Sequence, residues 1–475
     1  MAQEIKTDIC VIGAGSGGLS VAAGAQQMGS DTVLIEKDKM GGDCLNTGCV
    51  PSKALLAAGH AAEAVREAQR FGIAANHPEI EWNKIHAHVH GAIATIEPND
   101  SVERFEGLGV NVIQAEGRFI DRRTVEAGDV RITARRFVIA TGSRALVPPI
   151  TGLDDVSYLT NETIFDLKQR PRHLLVVGGG PIGLEMAQAF RNLGADVTVL
   201  EMFSILPKDD PDLVDVVRQR LKAQGVDIRE GVKVVRLEKK SGTDIAVFVE
   251  KDGKEEAIVG SHLLIATGRQ ANIQGLGLDE ANIEHTAAGI KVDAHLRTTN
   301  KKVFAIGDVT GGLQFTHRAG YQAGIVIRNA LFRLPAKSDT HALPWVTYAD
   351  PELAQVGLTE ANARAQGLGH KVLTRPFKEN DRAIAEAQTD GLIKAIVTPK
   401  GHILGAGIVG PHAGELIQTW VLAMSSKLKI GAVAGMIAPY PTLGEISKRA
   451  AGSFYTPSLF SKRTRMIVRF LSRFG

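Results

Sequence analysis

Cysteine is scarce in this chain: 475 residues contain three. Three cannot form a disulfide scaffold, and in a reducing compartment a close pair is more often catalytic or metal-binding than structural. Long apolar runs are absent as well, none approaching the ~18–20 residues needed to cross a bilayer. Charges stand in the first eight residues, where a signal peptide would place an apolar stretch, so a soluble protein that stays in the cytoplasm is expected. Acidic residues disappear after Glu445, where seven Lys and Arg stand alone, and the rest of the chain holds 48 basic against 52 acidic residues. The formal charge of +3 therefore conceals a mildly acidic body, and nothing in the distribution suggests nucleic acid. What is present is length and a hydrophobic share of 44%. That is enough for about three domains of ~150 residues, and hence for a multidomain enzyme.

Residues 8–12, Asp-Ile-Cys-Val-Ile, read as a buried parallel strand that runs into Gly13-Ala-Gly15-Ser-Gly17-Gly18 and then a helical pattern. A dinucleotide fingerprint requires this context. Gly13 makes the tight turn, Gly15 lets the backbone approach a pyrophosphate, Gly18 lets helix and strand pack closely, and the helix N-terminus faces the phosphate charge. A second strand, 32–35, ends in Glu36, whose carboxylate can accept hydrogen bonds from ribose hydroxyls. The unit recurs as strand 174–177, Gly178-Gly-Gly180-Pro-Ile-Gly183, and strand 197–200 ending in Glu201. Gly13 to Glu36 and Gly178 to Glu201 both span 23 residues. Residues 137–142 and 264–269 add another matched pair, each a strand running into a glycine turn. Two dinucleotide sites on one chain imply electron transfer between two cofactors.

Cys10, inside the first apolar run, reads as a small buried hydrophobe. Cys44 and Cys49 are the close pair, in Gly41-Gly-Asp-Cys44-Leu-Asn-Thr-Gly-Cys49-Val-Pro-Ser-Lys53. On a regular helix, positions five apart are separated by about 7.5 Å of rise, beyond the ~7 Å limit for a disulfide. Bridging them requires a distorted turn, which Asn46, Thr47 and Gly48 tolerate, and a bridge held away from ideal geometry is easily reduced. The spacing argues for a working disulfide. The competing readings are two free core thiols, or half of a metal site with no further cysteine to complete four ligands.

Over essentially its whole length the sequence resembles the pyridine nucleotide-disulfide oxidoreductases, through segments 13–18, 42–53, 140–142, 178–185, 266–269 and 299–308. The resemblance implies an α/β fold: two Rossmann-like dinucleotide-binding domains, for FAD and NAD(P), plus a C-terminal α+β dimerisation domain. The expected boundaries are 1–150 with 272–343 for FAD, 151–271 for NAD(P), 344–460 for dimerisation and 461–475 for a basic tail. A homodimer is implied, its final segment completing the partner's active site, so that a monomer is inactive. FAD is expected on Gly13, Gly15, Gly18, Glu36, Gly42, Lys53, Gly117, Thr141, Gly142 and Asp308. The nicotinamide nucleotide is expected on Gly178, Gly180, Gly183, Glu185, Glu201 and Gly268. By the same resemblance Cys49 is the thiolate facing the flavin and Cys44 the thiol that exchanges with substrate. The resemblance also pairs Lys53 with Glu185 beside the flavin, where a cationic neighbour favours the thiolate. Glu201, followed in 202–208 by Lys208 as the one basic residue, favours NADH over NADPH, whose users carry basic residues here. No metal site is expected.

The family pattern breaks near the C-terminus. Members acting on disulfides, such as dihydrolipoamide dehydrogenase, carry a His-Pro-Thr segment with a glutamate five residues after the histidine. Here it reads Tyr440-Pro-Thr-Leu-Gly-Glu445. A histidine near 6.5 exchanges a proton at neutral pH, whereas a tyrosine near 10 stays protonated and donates a hydrogen bond. Mercuric reductase resembles this chain in placing a tyrosine there, since binding a soft metal between thiolates needs no proton shuttle. It delivers its ion through a C-terminal cysteine pair, however, and no cysteine follows Cys49 here. Tyr440 and Glu445 are read as active-site candidates, against the alternatives of a packed aromatic and a helix N-terminal charge. Asp43 departs from the threonine common among relatives, and His317 and His412 read as structural histidines.

In the tail, Arg465, Arg469 and Arg473 recur every four residues opposite Met466, Ile467, Phe470, Leu471 and Phe474, the pattern of a basic amphipathic helix. Its apolar face either packs on the dimer or lies on an anionic membrane, which would put the protein at the inner face of that membrane. The leading function is reduction of a small thiol-reactive acceptor, a disulfide or soft metal ion, by NAD(P)H through FAD and the Cys44–Cys49 pair. A diaphorase-like reductase of a quinone or membrane partner is the alternative, and a redox-responsive flavin-binding interaction module is a third reading.

Overall fold

A computed structural model describes residues 3–474. Its contacts divide the chain into one unit of residues 3–202 with 231–339 and another of 203–230 with 340–474.

At the centre of the first unit lies β1 (Gln3–Ile12). It pairs in parallel with β2 (Thr32–Glu36) on one side, Ile12 opposite Ile35, and with strand Val130–Ile139 on the other, Ile12 opposite Ile139. Successive side chains point to opposite faces of a strand. Ile9 and Val11 therefore enter one core, with helix α1 (Ser16–Gln27) and helix Thr316–Ala330, while Cys10 and Ile12 enter the other, with Phe119 and Phe137. Both faces are covered, and so the strand reads as an unbroken apolar run. The Phe119 and Phe137 rings meet edge-on at 5.2 Å, worth about 0.5–1.5 kcal/mol beyond their burial. As expected, Cys10 is wholly buried, and burial pushes its thiol pKa far up, leaving it inert.

The second copy of the motif is built alike. Strand His173–Val177 runs parallel between Asp196–Glu201 and His262–Ile265, with Val177 opposite both Leu200 and Ile265. Helix Pro181–Asn192 follows its glycine turn, and a three-stranded antiparallel meander, 233–260, completes it.

The second unit is an antiparallel sheet of five strands in the order Pro344–Thr347, Glu352–Gly357, Ile403–Gly410, Leu392–Val397, Lys371–Pro376. Trp420 fills its core and donates its indole N–H to Ser447 at 3.0 Å. Residues 203–230 belong here by contact. The buried Lys394 reaches Asp210 at 3.0 Å and Asp212 at 2.7 Å, and Trp345 donates to Asp209 at 2.7 Å. The chain closes with helix Lys462–Leu471, which buries none of its residues. Among the described residues no helix is long and apolar enough to cross a membrane.

Candidate functional site

The two glycine turns have the same construction. Gly13 has φ +103°, and a Cβ there would lie 2.5 Å from the carbonyl oxygen of Ala140; Gly178 has φ +114°, with the Ala266 oxygen at 2.4 Å. A Cβ on Gly18 would sit 1.8 Å from the Gly13 carbonyl oxygen, and one on Gly183 2.0 Å from that of Gly178. Only glycine lets each helix start this close to its strand. Gly15 and Gly180, the residues that precede the two helices, have nothing within 4 Å of that position, so each helix N-terminus opens onto space where phosphate can approach backbone N–H groups.

Each second strand delivers its carboxylate to its own turn. Glu36 accepts the Ala14 N–H at 2.6 Å and the Asp38 N–H at 2.9 Å, and Glu201 accepts the Gly179 N–H at 2.7 Å. These bonds fix each carboxylate beside its own glycine turn. Gly13, Glu36, Gly117 and Thr141 line one cleft, floored by Ile12 and Leu276. Thr141 and Asn272 exchange side-chain to backbone hydrogen bonds at 2.8 and 3.0 Å, shaping its edge. The open helix start and the glycine-walled cleft fit a dinucleotide such as FAD. Gly42, at φ +57°, passes so close to Gly15 that a Cβ would meet its Cα at 2.8 Å. Gly142 and Gly268 also adopt left-handed φ. Asp308 accepts the Ser143 hydroxyl at 2.6 Å, and burial raises its carboxyl above the usual range.

Cys44 and Cys49 sit on separate helices, α2 (Gly42–Asn46) and α3 (Cys49–Glu67). The helix breaks between them: Thr47 and Gly48 leave helical φ/ψ, which is the distorted turn that the spacing demands. Both residues are thiols here, hydrogen-bonded to each other. That bond, received from Cys44, draws the Cys49 thiol down to about 6 against the opposing effect of burial; the Thr316 hydroxyl, 3.4 Å from its sulfur, and the Lys53 ammonium lower it further. Cys44 moves up, because it is the donor and because it is buried beside the Cys49 charge. The surroundings of the pair thus favour the anion on Cys49 over Cys44. Thr316 opens a 15-residue helix, whose N-terminal dipole favours a negative charge there.

Lys53 pairs with Glu185 at 2.7 Å, the partnership the resemblance implied, joining α3 to the helix after the second glycine turn. Sequence reasoning missed Thr316, although its segment was singled out for His317; that imidazole instead stacks on Phe315, ring centroids 5.2 Å apart. His412 is exposed, in a left-handed turn.

Tyr440 and Glu445 lie in the other unit. Tyr440 is 68% exposed rather than packed, and its hydroxyl donates to Asp381 at 3.0 Å, which raises its pKa. Glu445 is the first residue of helix Glu445–Gly452, with Arg449 4.0 Å from one oxygen and the other oxygen buried without a hydrogen-bond partner among the described residues. Among those residues no group of three or more His, Cys, Asp and Glu is placed to hold a metal ion.

Two family models match: the pyridine nucleotide-disulphide oxidoreductase model over residues 7–323 and the dimerisation domain of the same family over 343–451. The chain is 35% identical over 450 residues to a mercuric reductase of Bacillus cereus, covering 94% of this chain and 71% of that one. It is 34% identical over 455 residues to a dihydrolipoyl dehydrogenase of Geobacillus stearothermophilus, with 94% and 96% covered. A solved Cu(II) complex of RclA, an HOCl-induced flavoprotein disulfide reductase from Escherichia coli, superposes with a TM-score of 0.83 at 28% identity, covering 93% of this chain and 99% of that one. With two nucleotide cradles, a thiol pair at a helix break and a dimerisation domain, the chain belongs to the pyridine nucleotide-disulphide oxidoreductases, FAD- and NAD(P)H-dependent enzymes that work as homodimers.

Proposed function

We propose that this enzyme reduces a small thiol-reactive acceptor, a disulfide or a soft metal ion, through Cys44 and Cys49. The FAD-binding domain is assigned to 1–150 with 272–343, the NAD(P)-binding domain to 151–271 and the dimerisation domain to 344–460. Gly13, Gly15, Gly18 and Glu36 would hold FAD, which when bound would supply hydride acceptance from a nicotinamide nucleotide and an electron pair for the thiols. The chain's own residues do the rest. Lys53 and Thr316 hold the Cys49 thiolate, and Cys44 exchanges with the acceptor once its proton has passed to the Cys49 sulfur to which it is hydrogen-bonded. A two-electron transfer to an acceptor disulfide leaves a Cys44–Cys49 disulfide, one acceptor thiol that carries the pair's single proton, and one acceptor thiolate that solvent protonates. Tyr440, hydrogen-bonded to Asp381 and raised in pKa, stays protonated at neutral pH and serves as a donor rather than a base. That favours acceptors whose reduction needs no proton relay, soft metal ions among them. Glu201 at the second turn supports NADH over NADPH.

The observation that carries this reading is the pair of thiols set across a helix break, with the Thr316 hydroxyl 3.4 Å from the Cys49 sulfur. An anaerobic NADH titration followed by absorbance tests it. A long-wavelength thiolate-to-flavin band after two electrons is expected, and flavin bleaching without that band in the unmodified enzyme would overturn it.

A second reading concerns location, and rests on the final helix. Met466, Phe470, Leu471 and Phe474 are 66%, 57%, 58% and 75% exposed, on a helix that carries five cationic and no acidic residues with its flank. We infer that this helix lies on an anionic membrane surface, where a quinone or membrane partner is within reach. Flotation with phosphatidylglycerol vesicles, but not with phosphatidylcholine vesicles or after deletion of 461–475, is the expected result. No flotation of the full chain removes the reading.

A further inference from the structure

Asp43, immediately before Cys44, stands at the meeting point of three segments. Its Oδ1 accepts the Thr47 hydroxyl at 3.1 Å and the Asn161 amide at 2.9 Å, and pairs with the Arg269 guanidinium at 3.1 Å. Its main-chain carbonyl accepts the Thr47 N–H at 2.9 Å, and Asn161, buried, donates a second bond to the Thr47 carbonyl at 3.2 Å. Thr47 is one of the two residues at which the helix breaks, and it is therefore held through its side chain, its N–H and its C=O. The other, Gly48, lies so close that a Cβ would meet the Asp43 carbonyl oxygen at 2.8 Å and Oδ2 at 2.9 Å. Arg269 is itself fixed, donating to the Ser143 hydroxyl at 2.8 Å and carbonyl at 3.0 Å, with Asp308 at 3.9 Å.

We propose that Asp43 is a positioning residue for the redox pair: it locks the helix break that sets Cys44 against Cys49, and its carboxylate charge restrains the Cys49 thiolate. The geometry supplies the lock, since three donors converge on one carboxylate oxygen. The charge acts in the same place, because a carboxylate beside the two sulfurs raises the pKa of both. Lys53 and Thr316 pull Cys49 down while Asp43 pushes it up, and the thiolate's nucleophilicity, which falls as its pKa falls, is kept from dropping too far. Arg269 limits that push by neutralising part of the carboxylate.

This inference rests on the redox role of the pair, but its test reads the thiols directly rather than turnover. The reduced FAD-loaded enzyme is alkylated with iodoacetamide across pH, and peptide mass spectrometry assigns each sulfur. In Asp43→Asn, which keeps an acceptor oxygen but loses the charge, the Cys49 midpoint is expected to fall by roughly half a unit or more. In Asn161→Ala, which removes two bonds to the turn and no charge, that midpoint stays, while the dithiol–disulfide equilibrium against dithiothreitol shifts at least about threefold away from the disulfide. A Cys49 midpoint unchanged or raised in Asp43→Asn overturns the proposal, as does an unshifted equilibrium in Asn161→Ala. If the unmodified enzyme itself shows no low-pH alkylation at Cys49, it is the proposed function that fails.

Discussion

At the scale of single residues, two side chains carry consequences that can be measured. The Thr316 hydroxyl is one of the groups holding the Cys49 sulfur as an anion. A hydrogen bond to a charged group contributes about 1.5 kcal/mol, close to one pKa unit. Thr316→Val is therefore expected to raise the pH midpoint of Cys49 alkylation by about a unit, which stopped-flow thiol kinetics would detect. Asp209 lies far from the thiols in sequence. Burial lifts its carboxyl to about 6, against the hydrogen bond donated by Trp345. The folded pKa is above the unfolded value of 3.8, so the folded state binds the proton more tightly. Stability linked to this group is full below about pH 4 and is lost as pH rises through 6, a change on the order of 3 kcal/mol. Asp209→Asn keeps an oxygen for the indole and should raise Tm at pH 7.5 but not at pH 4, as calorimetry at the two values would show. Neither residue was legible beforehand. Thr316 reaches Cys49 across 267 positions, and an aspartate at a helix start gives no sign that a tryptophan 136 residues away will bury it.

At the scale of elements, the glycine turns were legible, and the reason is steric. A glycine that must avoid its own main chain is constrained within a few residues, so the requirement appears locally in the sequence. Gly18 and Gly183 occupy equivalent places in the two turns, with contacts of 1.8 and 2.0 Å awaiting any Cβ. Gly18→Ala is expected to yield enzyme without FAD, visible as a colourless preparation. Gly183→Ala should retain FAD yet lose reduction by NADH, with KM raised at least tenfold. Equal loss of FAD in both would contradict the assignment of one cofactor to each turn. The helix break was legible too, because the five-residue cysteine spacing is incompatible with an unbroken helix. What fixes the break was not legible: Asn161 and Arg269 come from distant segments, and Asp43 alone looked like an unexplained substitution.

At the scale of the whole molecule, the family's dimerisation domain occupies residues 343–451, and activity should follow the dimer. In a dilution series, specific activity is expected to fall in step with the dimer fraction measured by sedimentation. Full activity maintained through dissociation would show that each subunit has a complete site. The division of the chain was only partly readable. Residues 203–230 lie between the second nucleotide motif and its later strands, yet the segment groups with the C-terminal sheet, where Lys394 gathers Asp210 and Asp212. Hydrophobic periodicity identifies helix Pro211–Ala223 but does not say which sheet receives it.

The Lys53–Glu185 contact, described above as a link between two helices, also amounts to a shared resource. The Lys53 ammonium acts both on a carboxylate of the helix after the second glycine turn and on the Cys49 sulfur. On the proposed assignment of the nucleotide sites, a change that draws Glu185 away leaves the ammonium acting more strongly on the thiolate, and neutralising the thiolate leaves it acting more strongly on Glu185. On that assignment one cation is common to the electrostatics of both halves of the reaction, so a substitution at Lys53 bears on both at once.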